Sequence, residues 1–366
     1  MYLDAIRFAA AFAVVLNHLS LSPITNAVIP KPLAIYGSAA VTIFFLLSGY
    51  VISYVTETRE RNAIPYSISR ISRLYSVVVP ALILTLLLDH FGGLLNPAFY
   101  LDSRIMPKPS SVAGYVSSFF FVNEYQVFGF HGISPGSNAP YWSLSFEATY
   151  YALAGLMLFG KRLWALVGTV AILALAGPTI AVLFPIWIAG FFLCRSTFRI
   201  SSERMAKFGA YASLIVIAVS PVAGHFASSD KLGLWLPWGR IAMNRNIVGD
   251  YAAAIGFAWH ILCVRSLPDI RILLNDRVAR IVRWAGSLTF PLYLIHFPAA
   301  CFFAAISPIV GHPYLHLVYV LATTMLTVFA FSPLCELMRQ GLRRVLSAIA
   351  RKWDLLPPPS TAAREV

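Results

Sequence analysis

Arg7 and His18 stand eleven positions apart in the first apolar stretch, Tyr2–Leu21. At 3.6 residues per turn that is about three turns, so on a helix both side chains share one stripe roughly 16 Å apart. A permanent cation at one end can bind an anion, and an imidazole near the other can move a proton. Charged and titratable groups within a membrane helix are costly, and they face a polar interior or a water-filled cavity. An interfacial basic anchor with an incidental histidine would give the same spacing, so the spacing alone does not choose between them.

Three further polar clusters interrupt apolar runs. In Ala40–Tyr50 the pair Ser48-Gly49 permits close helix approach or a local bend. Arg70 and Arg73 stand at i, i+3 and share a helical face. They serve either as topological anchors or as a phosphate clamp, since guanidinium forks match phosphate geometry. Tyr141-Trp142-Ser143-Leu144-Ser145-Phe146-Glu147 opens a later apolar run, and Glu147 reads as the one acid well within a span. An unpaired carboxylate there is costly, so it needs a partner. His18 lies toward the same face of the membrane, and a Glu147–His18 pair would orient the imidazole as the carboxylate does in hydrolase triads. His296, in Pro291–His296, is expected mid-membrane, with a satisfied structural histidine favoured over a catalytic one.

The elements that must position these residues follow from composition. Hydrophobic residues make up 58% of the 366 and charged residues 12%, with a mean hydropathy of +0.73. Such a chain buries its surface in lipid. Runs of about 20 apolar residues span the hydrocarbon core, and ten candidates are present: 2–21, 35–55, 74–88, 141–159, 163–177, 179–194, 208–224, 248–264, 286–306 and 315–335. The pair around Gly177-Pro178 reads as a hairpin or as one kinked helix, and Ser111–Val122 is too short to span. The expected fold is an all-α, polytopic integral membrane protein of about ten helices, with a transmembrane domain over 1–337 and a basic tail over 338–366 whose end is disordered. The first span lacks the flanks of a cleaved signal peptide and is expected to be retained.

Charge sets the expected orientation. Of the 28 Lys and Arg, 22 fall on the side of the N-terminus and 6 on the other when alternate loops are counted. Positive residues stay cytoplasmic, so both termini are expected in the cytoplasm. The formal charge of +13 then reflects membrane orientation, and no nucleic-acid partner is implied. Cys194, Cys263, Cys301 and Cys335 fall in or beside spans without metal-ligand spacing; they read as small buried hydrophobes, and no metal site is indicated.

Taken in order, these clusters resemble the membrane-bound acyltransferase family 3, which includes bacterial O-antigen and Nod-factor acetyltransferases. Leu3, Asp4, Ile6, Arg7 and His18 match its opening L-D-x-L-R-x10-H, with Ile6 in place of Leu. Phe44–Tyr50 matches F-F-x-L-S-G-[FY]. Arg70, Arg73 and Tyr75 match R-x-x-R before a Tyr, Trp142–Glu147 matches W-S-L-x-x-E, and Tyr293–His296 matches Y-L-x-H. The resemblance covers the chain through about Leu337. Departures are Ala5 and Phe8 where glycines are common, and Ala148-Thr149 where a second acid or Gln often follows the glutamate.

The resemblance implies an O-acyltransferase of the bacterial inner membrane. It would move an acyl group, commonly acetyl, from cytoplasmic acyl-CoA to a sugar hydroxyl of a surface polysaccharide, oligosaccharide or glycolipid. Acyl-CoA is then a donor substrate, and no cofactor is expected. It implies catalytic roles for His18 and Glu147, with Arg7, Arg70, Arg73, Ser48 and Trp142 in substrate binding. His18 would act as general base or accept the acyl group transiently. A transporter or flippase of a lipid-linked saccharide is the alternative, although internal symmetry of the kind such folds show is not visible. A catalytically silent sensor or scaffold is a third reading, and the intact His18 and Arg70/Arg73 pair count against it.

Overall fold

The computed structural model describes residues 1–106, 110–129, 132–226, 235–236, 239–240, 246–267 and 276–356. The expected disordered tail end falls on 357–366, outside the described residues. The chain is all-α. In order, its helices of eight residues or more are α1 (Tyr2–Leu19), α2 (Gly37–Thr58), α3 (Ala63–Leu95), α4 (Val112–Phe119), α5 (Trp142–Phe159), α6 (Arg162–Ala176), α7 (Pro178–Arg195), α8 (Glu203–Phe226), α9 (Ile247–Val264), α10 (Asp276–Ala305) and α11 (Pro313–Lys352). A two-residue antiparallel pair, Trp235–Leu236 with Gly239–Arg240, lies between α8 and α9.

Eight of these helices are long and apolar enough to cross a membrane: α1, α2, α3, α7, α8, α9, α10 and α11. The ten expected spans are therefore eight by this measure among the described residues. Helix α5 carries Ser143, Ser145, Glu147 and Thr149 in its first half, which dilutes its apolar character. Helix α6 has 15 residues, about 22 Å of helix against roughly 30 Å of hydrocarbon. The segment read as too short to span is the eight-residue α4. At Gly177 the chain breaks into two helices, α6 and α7, because φ there is +96°, a conformation that only glycine adopts at little cost.

Helix α10 is the hub. In its apolar window 72% of residues are buried inside the protein, and it packs against α1, α3 and α11. Its run Pro291–Cys301 is buried throughout, so α10 reads as apolar all round because protein surrounds it. Helix α1 packs against both α10 and α2, and its buried residues include Ala10, Ala11 and Val14.

The Ser48-Gly49 pair marks a second close crossing. A Cβ on Gly49 would lie 2.0 Å from the Trp187 carbonyl oxygen, and one on Gly190 would lie 1.9 Å from that of Leu46. Each glycine thus admits the other helix's backbone, locking α2 to α7. Beside them the Trp187 indole donates to Ser48 Oγ at 3.2 Å.

Buried carboxylates peg further elements together. Asp250 of α9, 1% exposed, accepts hydrogen bonds from Ser38 Oγ at 2.7 Å and Thr42 Oγ1 at 2.9 Å on α2. Asp89 of α3 accepts from the Ser137 amide at 2.7 Å and hydroxyl at 2.6 Å, fixing the loop that leads into α5. Glu147 is therefore not the one acid inside the bundle: Asp250, near the start of its own expected span, is almost wholly enclosed. Gly49→Ala should push α2 off α7, because the obstructing atom is backbone and cannot rotate away. Overpacking of this kind costs about 1–3 kcal/mol or more, so the variant should unfold at a lower temperature in detergent than wild type.

Candidate active site

A cavity of about 800 Å³ opens between α1, α2, α3, α5, α10 and α11, at the end of the bundle where α1 begins. That volume is in the range of small-molecule and cofactor sites, roughly 300–1,000 Å³. Five arginines line it, Arg7, Arg70, Arg73, Arg339 and Arg343, against two glutamates, Glu147 and Glu336. Cations are in excess over carboxylates in this space walled by apolar helices.

The arginines are not equivalent. Arg70, 7% exposed, gives one guanidinium nitrogen to both oxygens of Glu60 at 2.9 and 3.0 Å, and it lies near the Tyr66 and Tyr151 rings. Its charge is neutralised at home. Arg73, one turn further into α3, stands over the Phe290 ring at 5.7 Å, and its Nε has no partner among the described residues. Arg7 and Arg73 are within electrostatic reach of each other and of Glu147. In this wall Arg7 also feels Asp4 and Arg73 also feels Glu60, but Asp4 is paired with the N-terminal amine and Glu60 with Arg70.

Glu147 belongs to that wall. It accepts a hydrogen bond from the Tyr151 hydroxyl, one turn on in α5. The expected pairing of Glu147 with His18 is therefore replaced. The second turn of α5 presents Glu147 to α3, while α1 presents His18 to α10. Helical spacing set how deep each group lies in the membrane but not which neighbour it faces.

His18 pairs instead with His296. His18 Nδ1 lies 2.9 Å from His296 Nε2, and the rings are tilted at 35° with centroids 5.1 Å apart. The proton positions follow from the remaining partners. His296 Nδ1 lies 2.9 Å from the Leu292 carbonyl, which only accepts, so Nδ1 carries the His296 proton and Nε2 is its acceptor. His18 then donates from Nδ1 to His296. Its Nε2 keeps a lone pair, the arrangement a general base requires. His296 itself is fully buried. The structural reading of His296 captured its satisfied Nδ1 but missed its bond to His18.

Tyr293 joins the two levels. Its ring lines the cavity floor, packs edge-on against Phe44 and stands one turn before His296, with 6.3 Å between ring centroids. The Tyr293 hydroxyl donates to the Pro140 carbonyl at 3.2 Å and accepts from Ser143 at 2.8 Å. Ser48 reaches the cavity wall, though its hydroxyl is engaged by Trp187. Trp142 packs against Phe45 and Phe146, in the aromatic wall behind the cavity. Arg339 and Arg343 escaped the sequence reading, where they were indistinguishable from other basic residues of the tail region.

The family model described as an acyltransferase domain matches residues 2–335. An O-acetyl transferase of Shigella phage Sf6 is 34% identical over 122 residues, a match covering 32% of this chain and 34% of that protein. The chain thus spans about a third of the length of this curated relative. No solved structure matches.

Because Arg70 and Glu60 are nearly buried, removing either partner leaves an uncompensated charge, at about 3–5 kcal/mol. Arg70→Ala should therefore lower thermal stability sharply, and the double variant Arg70→Ala/Glu60→Ala should be more stable than Arg70→Ala alone. Wild-type stability in Arg70→Ala, with weakened ligand affinity, would show that Arg70 binds ligand rather than holding α3.

Proposed function

The chain belongs to this acyltransferase family, and on that premise we propose that it moves an acyl group, acetyl foremost, from acyl-CoA to a sugar hydroxyl of a surface polysaccharide, oligosaccharide or glycolipid. One observation carries the reading: a cation-lined cavity inside an apolar bundle reaches Tyr293, one helical turn from a histidine pair in which His18 Nε2 makes no hydrogen bond among the described residues. The cavity suits the phosphates of a CoA ester at Arg7 and Arg73, with the pantetheine arm extended toward α10. Arg70 supports this wall from its pairing with Glu60.

The chemistry then runs through His18. Its Nε2 takes the proton of the acceptor hydroxyl as the oxygen attacks the thioester carbonyl. The tetrahedral intermediate collapses to the ester, and the departing CoA thiolate takes that proton back from the imidazolium. In the charged state His18 still donates through Nδ1 to His296 Nε2, so His296 holds the ring and spreads the positive charge. Glu147 stands with the donor-binding arginines and Tyr151, where it sets the position of Arg73.

In this reading both termini face the cytoplasm of a bacterial cell, the cavity opens to cytoplasmic acyl-CoA, and the acceptor approaches from the other side of the inner membrane. The excess of Lys and Arg on the N-terminal side supports that orientation. Cysteine probes placed in 195–207 should react only after permeabilisation of the cells, and labelling from outside would reverse the orientation.

His18→Ala should leave the protein folded and inserted yet reduce transfer by roughly 10²–10⁴-fold, the contribution of a positioned base. His18→Gln should fail equally, since an amide cannot take up the proton. His296→Ala should lower kcat and displace its pH profile without changing the acyl-CoA affinity. Arg73→Lys should weaken that affinity, because a point charge replaces a planar fork. Near-normal transfer by purified His18→Ala, matched for expression, would end the catalytic reading.

A further inference from the structure

Helix α10 contains two prolines, Pro291 and Pro298, on either side of His296. Proline has no backbone N–H, so each leaves the carbonyl four residues earlier without its helical donor. For Pro298 that carbonyl belongs to Leu294, in the turn between Tyr293 and His296. Inside a membrane such a freed group has no water to turn to and needs a donor from the protein. Asn138 supplies it. Its Nδ2 donates to the Leu294 carbonyl at 2.9 Å and to Thr85 Oγ1 of α3 at 3.2 Å. Thr85 gives its own proton to the Ala81 carbonyl, so both neighbours of the amide nitrogen are acceptors and the amide has one orientation. The Asn138 side chain is fully buried. Pro221 in α8 is handled locally, because Ser220 of the same helix donates to the freed Ile217 carbonyl at 2.8 Å. At Leu294 the donor comes instead from a residue 156 positions away.

The segment that carries Asn138 is fixed on both sides of it. Ser137 is tied to Asp89 of α3, and Gly136 permits that approach: its φ is +57°, and a Cβ there would lie 2.0 Å from Asp89 Oδ2. On the other side Pro140 accepts from the Tyr293 hydroxyl and Ser143 donates to it. Asn138 thus stands at the centre of a clamp that joins α3 and the chain before α5 to α10, at the turn that holds His296. That histidine is oriented by the Leu292 carbonyl, two residues from the bond Asn138 makes, and it pairs in turn with His18. We propose that Asn138 is a positioning residue for the histidine pair: it closes the gap that Pro298 opens in α10 and so holds His296 Nε2 against His18 Nδ1. Asn138 acts on the chemistry only through His296. The proposal rests on the acyl-transfer reading above and deepens it with a residue outside the motifs matched to the family.

The test uses the full-length protein, labelled with 15N-histidine, as wild type, Asn138→Leu, Pro298→Ala and the double variant Asn138→Leu/Pro298→Ala. Leucine keeps the branched shape of asparagine without a donor. Alanine at 298 restores the backbone N–H, so Leu294 regains a partner within α10 and Asn138 is no longer needed. Solvent exchange of the His18 imidazole proton is compared by NMR with that of His316, whose Nε2 donates to the Ile24 carbonyl at 2.7 Å and serves as reference. In Asn138→Leu the His18 proton should exchange about tenfold faster, the scale of one lost hydrogen bond, with His316 unchanged; the double variant should return to the wild-type rate. Turnover of acetyl-CoA in mixed micelles with octyl glucoside, whose sugar hydroxyls serve as acceptor, should follow the same order. In Asn138→Leu kcat should fall, by up to about 10²-fold for a misplacement near 1 Å, with KM for acetyl-CoA unchanged. Wild-type exchange at His18 in Asn138→Leu would overturn the proposal, as would equal acceleration at His18 and His316 or a double variant no better than Asn138→Leu. Wild-type protein inert toward acetyl-CoA, with the expected exchange pattern, would instead end the acyl-transfer reading and leave Asn138 as the holder of the pair.

Discussion

The structure is organised by the cost of placing guanidinium groups inside an apolar bundle. Neither lipid nor a dry helix interface accepts an unpaired charge, so Arg7, Arg70 and Arg73 require either a local counter-charge or a polar space. Both solutions are used within one turn of α3. Arg70 is consumed by Glu60 and enclosed by tyrosines, which makes it a fixed post. Arg73 opens onto the cavity with Arg7, and both are within reach of Glu147. The cavity is thus the place where the fold leaves positive charge uncompensated.

That choice dictates the rest of the packing. A cavity of this size within a membrane bundle must be walled rigidly, and the wall is built from close backbone contacts and buried polar pegs. Gly49 and Gly190 allow α2 and α7 to meet at backbone distance. Asp250 ties α9 to α2 through two hydroxyls, and Asp89 holds the loop before α5. Each buried carboxylate receives donors from another element, so its desolvation is offset only in the assembled fold.

The histidine pair follows a different logic from the arginines. A carboxylate beside His18 would strengthen the base but bring a further charge into the bundle. A neutral imidazole, itself anchored to a backbone carbonyl, fixes the tautomer without adding one. Tyr293 then separates the cationic chamber from the base: its hydroxyl is tied to α5 by Ser143 and to the chain before it by Pro140. In the proposed reaction, anion binding and proton transfer are kept one aromatic ring apart.

Much of this was determined by the amino-acid sequence alone. Composition and the length of its apolar runs dictated an all-α membrane protein, and helical periodicity placed Arg7 and His18 on one stripe of α1 and put Arg70 beside Arg73. The Ser48-Gly49 pair permits either a close helix crossing or a local bend, and the fold uses it for a crossing against α7. These properties are local, set by 3.6 residues per turn and by what lipid tolerates. What the sequence left open was the rotation of each helix about its own axis. The tertiary structure decided that Glu147 faces Arg73 and Tyr151, that His18 faces His296, and that Arg70 is spent on Glu60. It also buried Asp250 near the start of its helix and brought Arg339, Arg343 and Trp284 to the cavity lining. Those outcomes depend on which helices pack side by side across long stretches of chain, and no periodicity within a single span encodes them.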